Sequence, residues 1–219
     1  FSLVGFCDID KKKIKEISLK YNIPGFSDLN KMIKKIKIDI LVICTPSGLH
    51  AKQCILASRN NIHVITEKPM ALSYKNGVQM IAECRKNKTK LFVVKQNRFN
   101  KTLELLKRAI LEKRFGKIHF VQVNVFWTRS QSYYDQGNGW RGTKKMDGGA
   151  FMNQASHYID LLTWLIGPVK KVQSFMSKFR KIEVEDTGTL NLEWLDGTLG
   201  SASVTMLTYP SNLEGSITI

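Results

Sequence analysis

In the run Val64-Ile65-Thr66-Glu67-Lys68-Pro69-Met70 a lysine follows directly on a short β-branched stretch, and Ser73 then opens a helical pattern. Lys68 is thereby placed just past a strand end. In an open α/β sheet, ligands bind in the crevice outside the carboxyl ends of the strands. Pro69 fixes its own φ and biases Lys68 towards extended backbone, which holds the ammonium in one pose. A second set of reactive types lies downstream, where Arg129, Arg141, Lys144 and Lys145 flank a loop containing Tyr133, Tyr134 and Trp140. Guanidinium groups pair bidentately with carboxylates and phosphates, and aromatic rings offer stacking faces. An anionic ligand suits such a loop.

These groups need a scaffold, and the hydrophobic pattern predicts one. Residues 1–7 read as a buried strand ending at Asp8. Ile14, Ile17, Leu19 and Tyr21 sketch a helix stopped by Pro24-Gly25, and Ser27 or Asp28 caps a second, shorter helix. Residues 39–44 form a continuous apolar run, expected of a strand buried on both faces of a parallel sheet. A turn at Thr45-Pro46-Ser47-Gly48 leads into a helix over 50–60, a strand over 63–66, a helix over 74–87 and a strand over 91–94. Strict alternation predicts an α/β fold, a Rossmann-like doubly wound parallel sheet.

The period then changes. A helix over 103–111 closes at Gly116, and residues 118–127 alternate as a long strand with Val121, Val123 and Val125 on one face. After the polar, aromatic loop over 129–145, residues 149–166 read as helix up to Gly167-Pro168. Strands follow over 169–178, 187–194 and 198–207, with Asp196-Gly197 as a hairpin turn. Residues 215–219 read as a strand cut short. This half predicts an α+β unit with an open, mainly antiparallel sheet, so two domains are expected, at 1–97 and 98–219.

Composition narrows the function classes. The 219 residues carry a net charge of +16, large enough to raise the question of nucleic acid. The lysines at 11–13 and 34–35 fall on amphipathic helical patterns, however, and neither zinc-finger spacing nor an aromatic RNA-binding signature occurs. No nucleic-acid partner is expected; part of the charge is available to attract an anionic small substrate. No apolar run approaches a membrane span of roughly 18 residues, and no signal-peptide pattern is present, so a cytoplasmic protein without membrane association is expected. Cys7, Cys44, Cys54 and Cys84 lack Cys-x-x-Cys spacing and read as reduced packing residues, with no metal site.

At Cys44-Thr45-Pro46-Ser47-Gly48-Leu49-His50, followed by Thr66-Glu67-Lys68-Pro69-Met70-Ala71, the sequence resembles the Gfo/Idh/MocA family of nicotinamide-dependent oxidoreductases. A third block, from Gly148-Gly149-Ala150 through Asn153-Gln154 to His157-Tyr158-Ile159-Asp160, is similar to the family's glycine-rich approach to an active-site histidine. Gln96-Asn97-Arg98, the stretch over 127–134, Trp140-Arg141-Gly142 and Asn153-Gln154 resemble the branch that oxidises C3 of a UDP-linked N-acetylglucosaminuronic acid, in bacterial surface-polysaccharide sugar biosynthesis. Two departures stand out. No G-x-G-x-x-G loop precedes Phe1, so a fragment lacking the first strand and that loop is expected. Most of the family has an aspartate where this chain has Asn153, which cannot accept a proton and so excludes a carboxylate relay at that position.

The resemblance implies NAD as cofactor, with Asp8, Cys44, Thr45, Pro46, Leu49, His50, Glu67, Lys68, Pro69 and Gln96 around it. An acidic residue at Asp8 favours NAD over NADP, because it binds ribose hydroxyls and repels a 2′-phosphate; Asp10 is the alternative. It implies Lys68 and His157 as catalytic residues. Histidine titrates in the useful range, whereas lysine needs a strongly lowered pKa, so His157 is the expected base and Lys68 the residue that orients the hydroxyl. Arg129, Arg141, Asn153 and Gln154 join them as substrate-binding candidates. A homo-oligomer and reoxidation of NADH by 2-oxoglutarate are implied as well. The alternatives are a relative acting on another sugar or polyol, and a non-catalytic NAD-binding or basic interaction protein.

Overall fold

The computed structural model describes residues 1–136 and 138–219. Strand β1 (Phe6–Cys7) leads into helix α1 (Lys11–Tyr21), and β2 (Gly25–Phe26) into α2 (Leu29–Lys35). Asp10 and Asp28 cap the two helices, each accepting backbone N–H groups of the first turn. Then come β3 (Ile40–Ile43), a 3₁₀ turn at Ser47–Leu49, α3 (His50–Arg59), β4 (His63–Thr66), α4 (Tyr74–Lys86) and β5 (Leu91–Val93). All strand pairings in this half are parallel, as the alternation predicts: β1 with β2, and β3 with β4 with β5.

Several details differ from the sequence reading. Only Phe6 and Cys7 of the first apolar run are strand, and Phe1, Leu3 and Val4 are exposed. Among the described residues the parallel strands lie in two sheets, β1-β2 and β3-β4-β5. Leu19 and Tyr21 are also exposed, and α1 buries no residue completely. The run over 39–44 is buried on one face only. Leu41 and Ile43 face the core with Val64, Cys54, Ala57, Met80 and Cys84, whereas Val42, in register with Ile65 and Phe92, is 58% exposed. The reason is topological. Right-handed crossovers between strands added in one direction place α3 and α4 on the same side of the sheet.

A 3₁₀ turn at Gln96–Phe99 and α5 (Lys101–Leu111) connect to the second sheet. It contains β6 (Phe120–Phe126), β7 (Val169–Ser177), β8 (Thr187–Trp194), β9 (Leu199–Thr205) and β10 (Glu214–Thr218), in the order β10-β6-β9-β8-β7. Only β6 and β9 pair in parallel, so the expected open, mainly antiparallel sheet is present. Period-2 alternation sends Val121, Val123, Val125, Leu190, Leu192, Trp194, Ala202 and Val204 to the face covered by α7 (Ser156–Leu165), which adds Leu162. After β6 comes a short helix, α6 (Gln131–Asp135); Gly137, in the sequence stretch 129–145 expected to be a loop, lies outside the described residues. The helix expected over 149–166 begins only at Ser156. Gly148 and Gly149 hold φ of +89° and +94°, left-handed values that no helix accommodates, and the chain reaches α7 through turns.

Candidate active site

The functional side chains sit where strand ends of the first half meet the turns before α7. Gly48, in the turn after β3, is packed so closely against Lys145 and Met146 that a Cβ would overlap the Lys145 carbonyl; its N–H donates to the Met146 carbonyl at 3.0 Å. Below this turn His50, 1% exposed, places Nε2 at 2.9 Å from the Thr45 carbonyl and Nδ1 at 2.8 Å from the Pro69 carbonyl. It ties the turn after β3 to the turn after β4 from inside. Thr45 Oγ1 donates to Gln53 Oε1 at 2.7 Å, with Cys44 exposed beside it. Burial and the Glu67 charge push the Cys44 thiol up, so it stays protonated.

Lys68 leaves the end of β4 across a cis peptide to Pro69, and its N–H donates to its neighbour's Glu67 Oε2 at 3.2 Å. Its Nζ crosses to the second half, donating to Asn153 Oδ1 at 2.8 Å and to the Asn153 carbonyl at 3.1 Å. Burial pushes the Lys68 ammonium below the ordinary lysine range, with Lys95 and Arg129 acting the same way and Glu67 and Asp147 opposing. His157, half-buried in the first turn of α7, is held below the usual histidine range by burial and by the charges of Lys68 and Lys95, against Glu67 and Asp160. Lys68 and His157 thus sit within reach of one another's charge, one as a weakened cation and the other as a neutral base.

Of the other candidates, Arg129 also comes into this field, its guanidinium over the rings of Trp127 and Tyr133. Arg141 stacks 4.4 Å above Tyr133 and donates to its carbonyl at 3.0 Å, while its Nε is buried without a partner among the described residues. Gln154, 5% exposed, likewise leaves Nε2 without a partner among them. Asp8 accepts the Asp10 N–H at 2.9 Å and keeps a half-exposed carboxylate, whereas Asp10 is occupied in capping α1, which favours Asp8 of the pair. Gln96 is exposed at the head of the 3₁₀ turn after β5. Among the described residues no cluster of metal-ligating side chains occurs.

Two carboxylates at the site carried no role in the sequence analysis. Asp147, 1% exposed, receives the Asn153 amide and the Gly142 N–H. Asp160, one turn after His157, holds Arg98 in a bidentate pair at 2.6 and 2.7 Å, with Lys95 at 3.5 Å. Their signals are slight: an acid directly before a Gly-Gly pair, and an acid three residues beyond the histidine on the same helix face.

Comparison with known proteins agrees with this architecture. Residues 1–95 match the oxidoreductase family with an NAD-binding Rossmann fold, and residues 103–219 match the Gfo/Idh/MocA C-terminal domain. The chain belongs to the Gfo/Idh/MocA family. Two structures of WlbA dehydrogenases in complex with NADH and UDP-GlcNAcA are similar to this member throughout. The protein from Chromobacterium violaceum is 56% identical with a TM-score of 0.96, over 99% of this chain and 63% of that one. The protein from Bordetella pertussis is 50% identical with a TM-score of 0.96, over 99% of this chain and 67% of that one. Myo-inositol 2-dehydrogenase of Thermotoga maritima is 23% identical over 90% of this chain and 59% of its own. The chain spans about half the length of the curated relatives it matches (40%, 59% and 53% for three of them).

Proposed function

We propose that the protein is an NAD-dependent dehydrogenase that oxidises C3 of a UDP-linked N-acetylglucosaminuronic acid, and that residues 1–97 and 98–219 form its cofactor and substrate domains. The observation that carries this reading is the contact of Lys68 with Asn153, which sets a strand-end lysine beside His157 across the two halves. The likeness to two UDP-GlcNAcA complexes at 50% identity or more supports the substrate.

The residues present fit a dinucleotide. Asp8, Thr45-Pro46, Glu67-Lys68-Pro69 and Gln96 each follow the carboxyl end of a parallel strand, and Asp8 is an acceptor suited to ribose hydroxyls. NAD, when bound, accepts the hydride from the sugar carbon. His157 takes the hydroxyl proton as the C–H bond breaks, and its lowered pKa keeps it neutral and ready to do so at neutral pH. Lys68 donates its remaining N–H to the same oxygen and stabilises the negative charge that develops there. Arg129 and Arg141, stacked on aromatic rings, meet the diphosphate or the carboxylate. A homo-oligomer, a cytoplasmic location and reoxidation of NADH by 2-oxoglutarate complete the proposal; among the described residues no helix is long and apolar enough to cross a membrane.

The test is to express the protein from its native reading frame, add UDP-N-acetylglucosaminuronic acid and 2-oxoglutarate, and follow keto-sugar and 2-hydroxyglutarate by mass spectrometry. Both are expected, and His157→Ala and Lys68→Ala should each abolish them with the fold intact. Near-normal turnover in His157→Ala would remove it as the base. Turnover of another sugar or polyol alone would move the protein to a different branch of the family.

A further inference from the structure

Asn153 stands between two groups of opposite hydrogen-bonding character. Lys68 Nζ only donates, and it uses Asn153 Oδ1 and the Asn153 carbonyl. Asp147 only accepts: Oδ1 receives Asn153 Nδ2 at 2.5 Å, and Oδ2 receives the Gly142 N–H at 2.7 Å. An amide's oxygen and nitrogen are nearly interchangeable in shape, so its neighbours decide which way it faces. Between a carboxylate and an ammonium, one orientation satisfies both ends and the other satisfies neither. The Asn153 backbone is anchored as well, its N–H donating to the Gly149 carbonyl at 2.9 Å and its carbonyl accepting from Ser156 Oγ at 2.8 Å.

We propose that Asp147 is a positioning residue for Lys68: by accepting the Asn153 amide nitrogen it fixes that amide's orientation, holds two acceptors on the lysine and leaves one ammonium proton for the substrate hydroxyl. The carboxylate thereby lies one hydrogen bond behind the lysine. Asp147 touches no reacting atom. Its charge also reaches Lys68 along with that of Glu67, opposed by Lys95, Arg129 and the nearby His157 when protonated.

The chemistry of the amide makes the test specific. In Asp147→Asn the new side chain has one acceptor for two N–H donors, Gly142 and Asn153. Turning the Asn153 amide over relieves the conflict, but it presents NH₂ to the Lys68 ammonium. The double exchange Asp147→Asn/Asn153→Asp rebuilds every bond, with the carboxylate now in direct contact with Lys68.

The inference rests on the dehydrogenase reading for its kinetic arm only. The primary readout needs no turnover: competitive acetylation of Lys68 by acetic anhydride over a pH series, quantified by peptide mass spectrometry on the protein expressed from its native reading frame. Asp147→Asn should move the labelling midpoint of Lys68 about one pH unit lower, as loss of one nearby negative charge requires. The double exchange should return it to or above the wild-type value. With the sugar substrate, Asp147→Asn should lower kcat about tenfold or more with a smaller change in KM, and the double exchange should recover part of it. An unmoved midpoint in Asp147→Asn, or a double exchange that folds by its melting curve and leaves the midpoint low, overturns the proposal. Should Asp147→Asn fail to fold, the midpoint of the double exchange decides alone. Should the wild-type protein not turn over the sugar, the substrate reading falls while the labelling still decides the role of Asp147.

Discussion

Gly149→Ala should cost the protein a large part of its stability, although the residue bears no functional group. Gly149 holds φ at +94°, where a Cβ meets its own backbone, a penalty of about 1–2 kcal/mol for an ordinary residue. The new methyl would also overlap the Glu185 carboxylate. That carboxylate is the end of a flexible side chain, so the overlap is relieved by swinging it away. The cost is then the bond it gives up, acceptance of the Phe151 N–H at 3.1 Å, and a hydrogen bond to a charged group contributes about 1.5–3 kcal/mol. Together the loss is about 2.5–5 kcal/mol. Urea unfolding at neutral pH should show a lower midpoint with an unchanged slope. In a Glu185→Ala background the same substitution should cost only the backbone part, about 1–2 kcal/mol. A loss below about 1 kcal/mol, or the same loss in both backgrounds, would refute the account of how these turns are held.

Lys95→Met should move the acid limb of the kcat/KM profile upward. Burial and the Lys68 and Lys95 charges lower the pKa of His157, so removing Lys95 raises it and the neutral base is lost at a higher pH, by about half a unit for one partly screened charge. An unmoved or lowered limb would count against His157 as the base. Asp160→Asn breaks the bidentate pair with Arg98. Burial alone would raise the Asp160 pKa, but the Arg98 hydrogen bonds and the Lys95 charge hold it below the usual carboxylate range. Its stabilising contribution is therefore complete above about pH 4 and is lost as pH falls through the lower folded value. With the Arg98 side chain 36% exposed, the loss at neutral pH should be about 1–2 kcal/mol by urea unfolding, shrinking in acid. A loss that stayed constant down to acid unfolding would show that the pair is not its source.

Much of this molecule was legible because its elements repeat simple periods. The alternation of Val121, Val123 and Val125 places β6, and Asp196-Gly197 joins β8 to β9 as a hairpin demands. The strand-end position of Lys68 follows from a β-branched run meeting Glu-Lys-Pro. What failed was inference from hydrophobicity alone. An apolar run such as 39–44 says that burial is available, and not which face α3 and α4 will cover; crossover direction puts both on the side of Leu41 and Ile43. The two-residue strand β2 carries no period at all. It exists because Gly25 and Phe26 lie beside Phe6 and Cys7, a pairing made in three dimensions and not by local pattern.

The site shows the same limit at the level of single residues. An amide at position 153 accepts no proton, and that much is plain from its type. Its type says nothing about a nearby carboxylate, because Asp147 is six residues earlier and approaches only through the reversal of chain at Gly148 and Gly149. Those glycines, read as the opening of a helix, instead hold left-handed backbone that delays α7 to Ser156 and folds Asp147 back onto Asn153. A helix beginning at Gly149 would carry residue 153 one turn along its axis, with residue 147 outside the helix. The interruption that defeats the periodicity reading is therefore what brings a carboxylate, an amide and a strand-end lysine into one chain of hydrogen bonds.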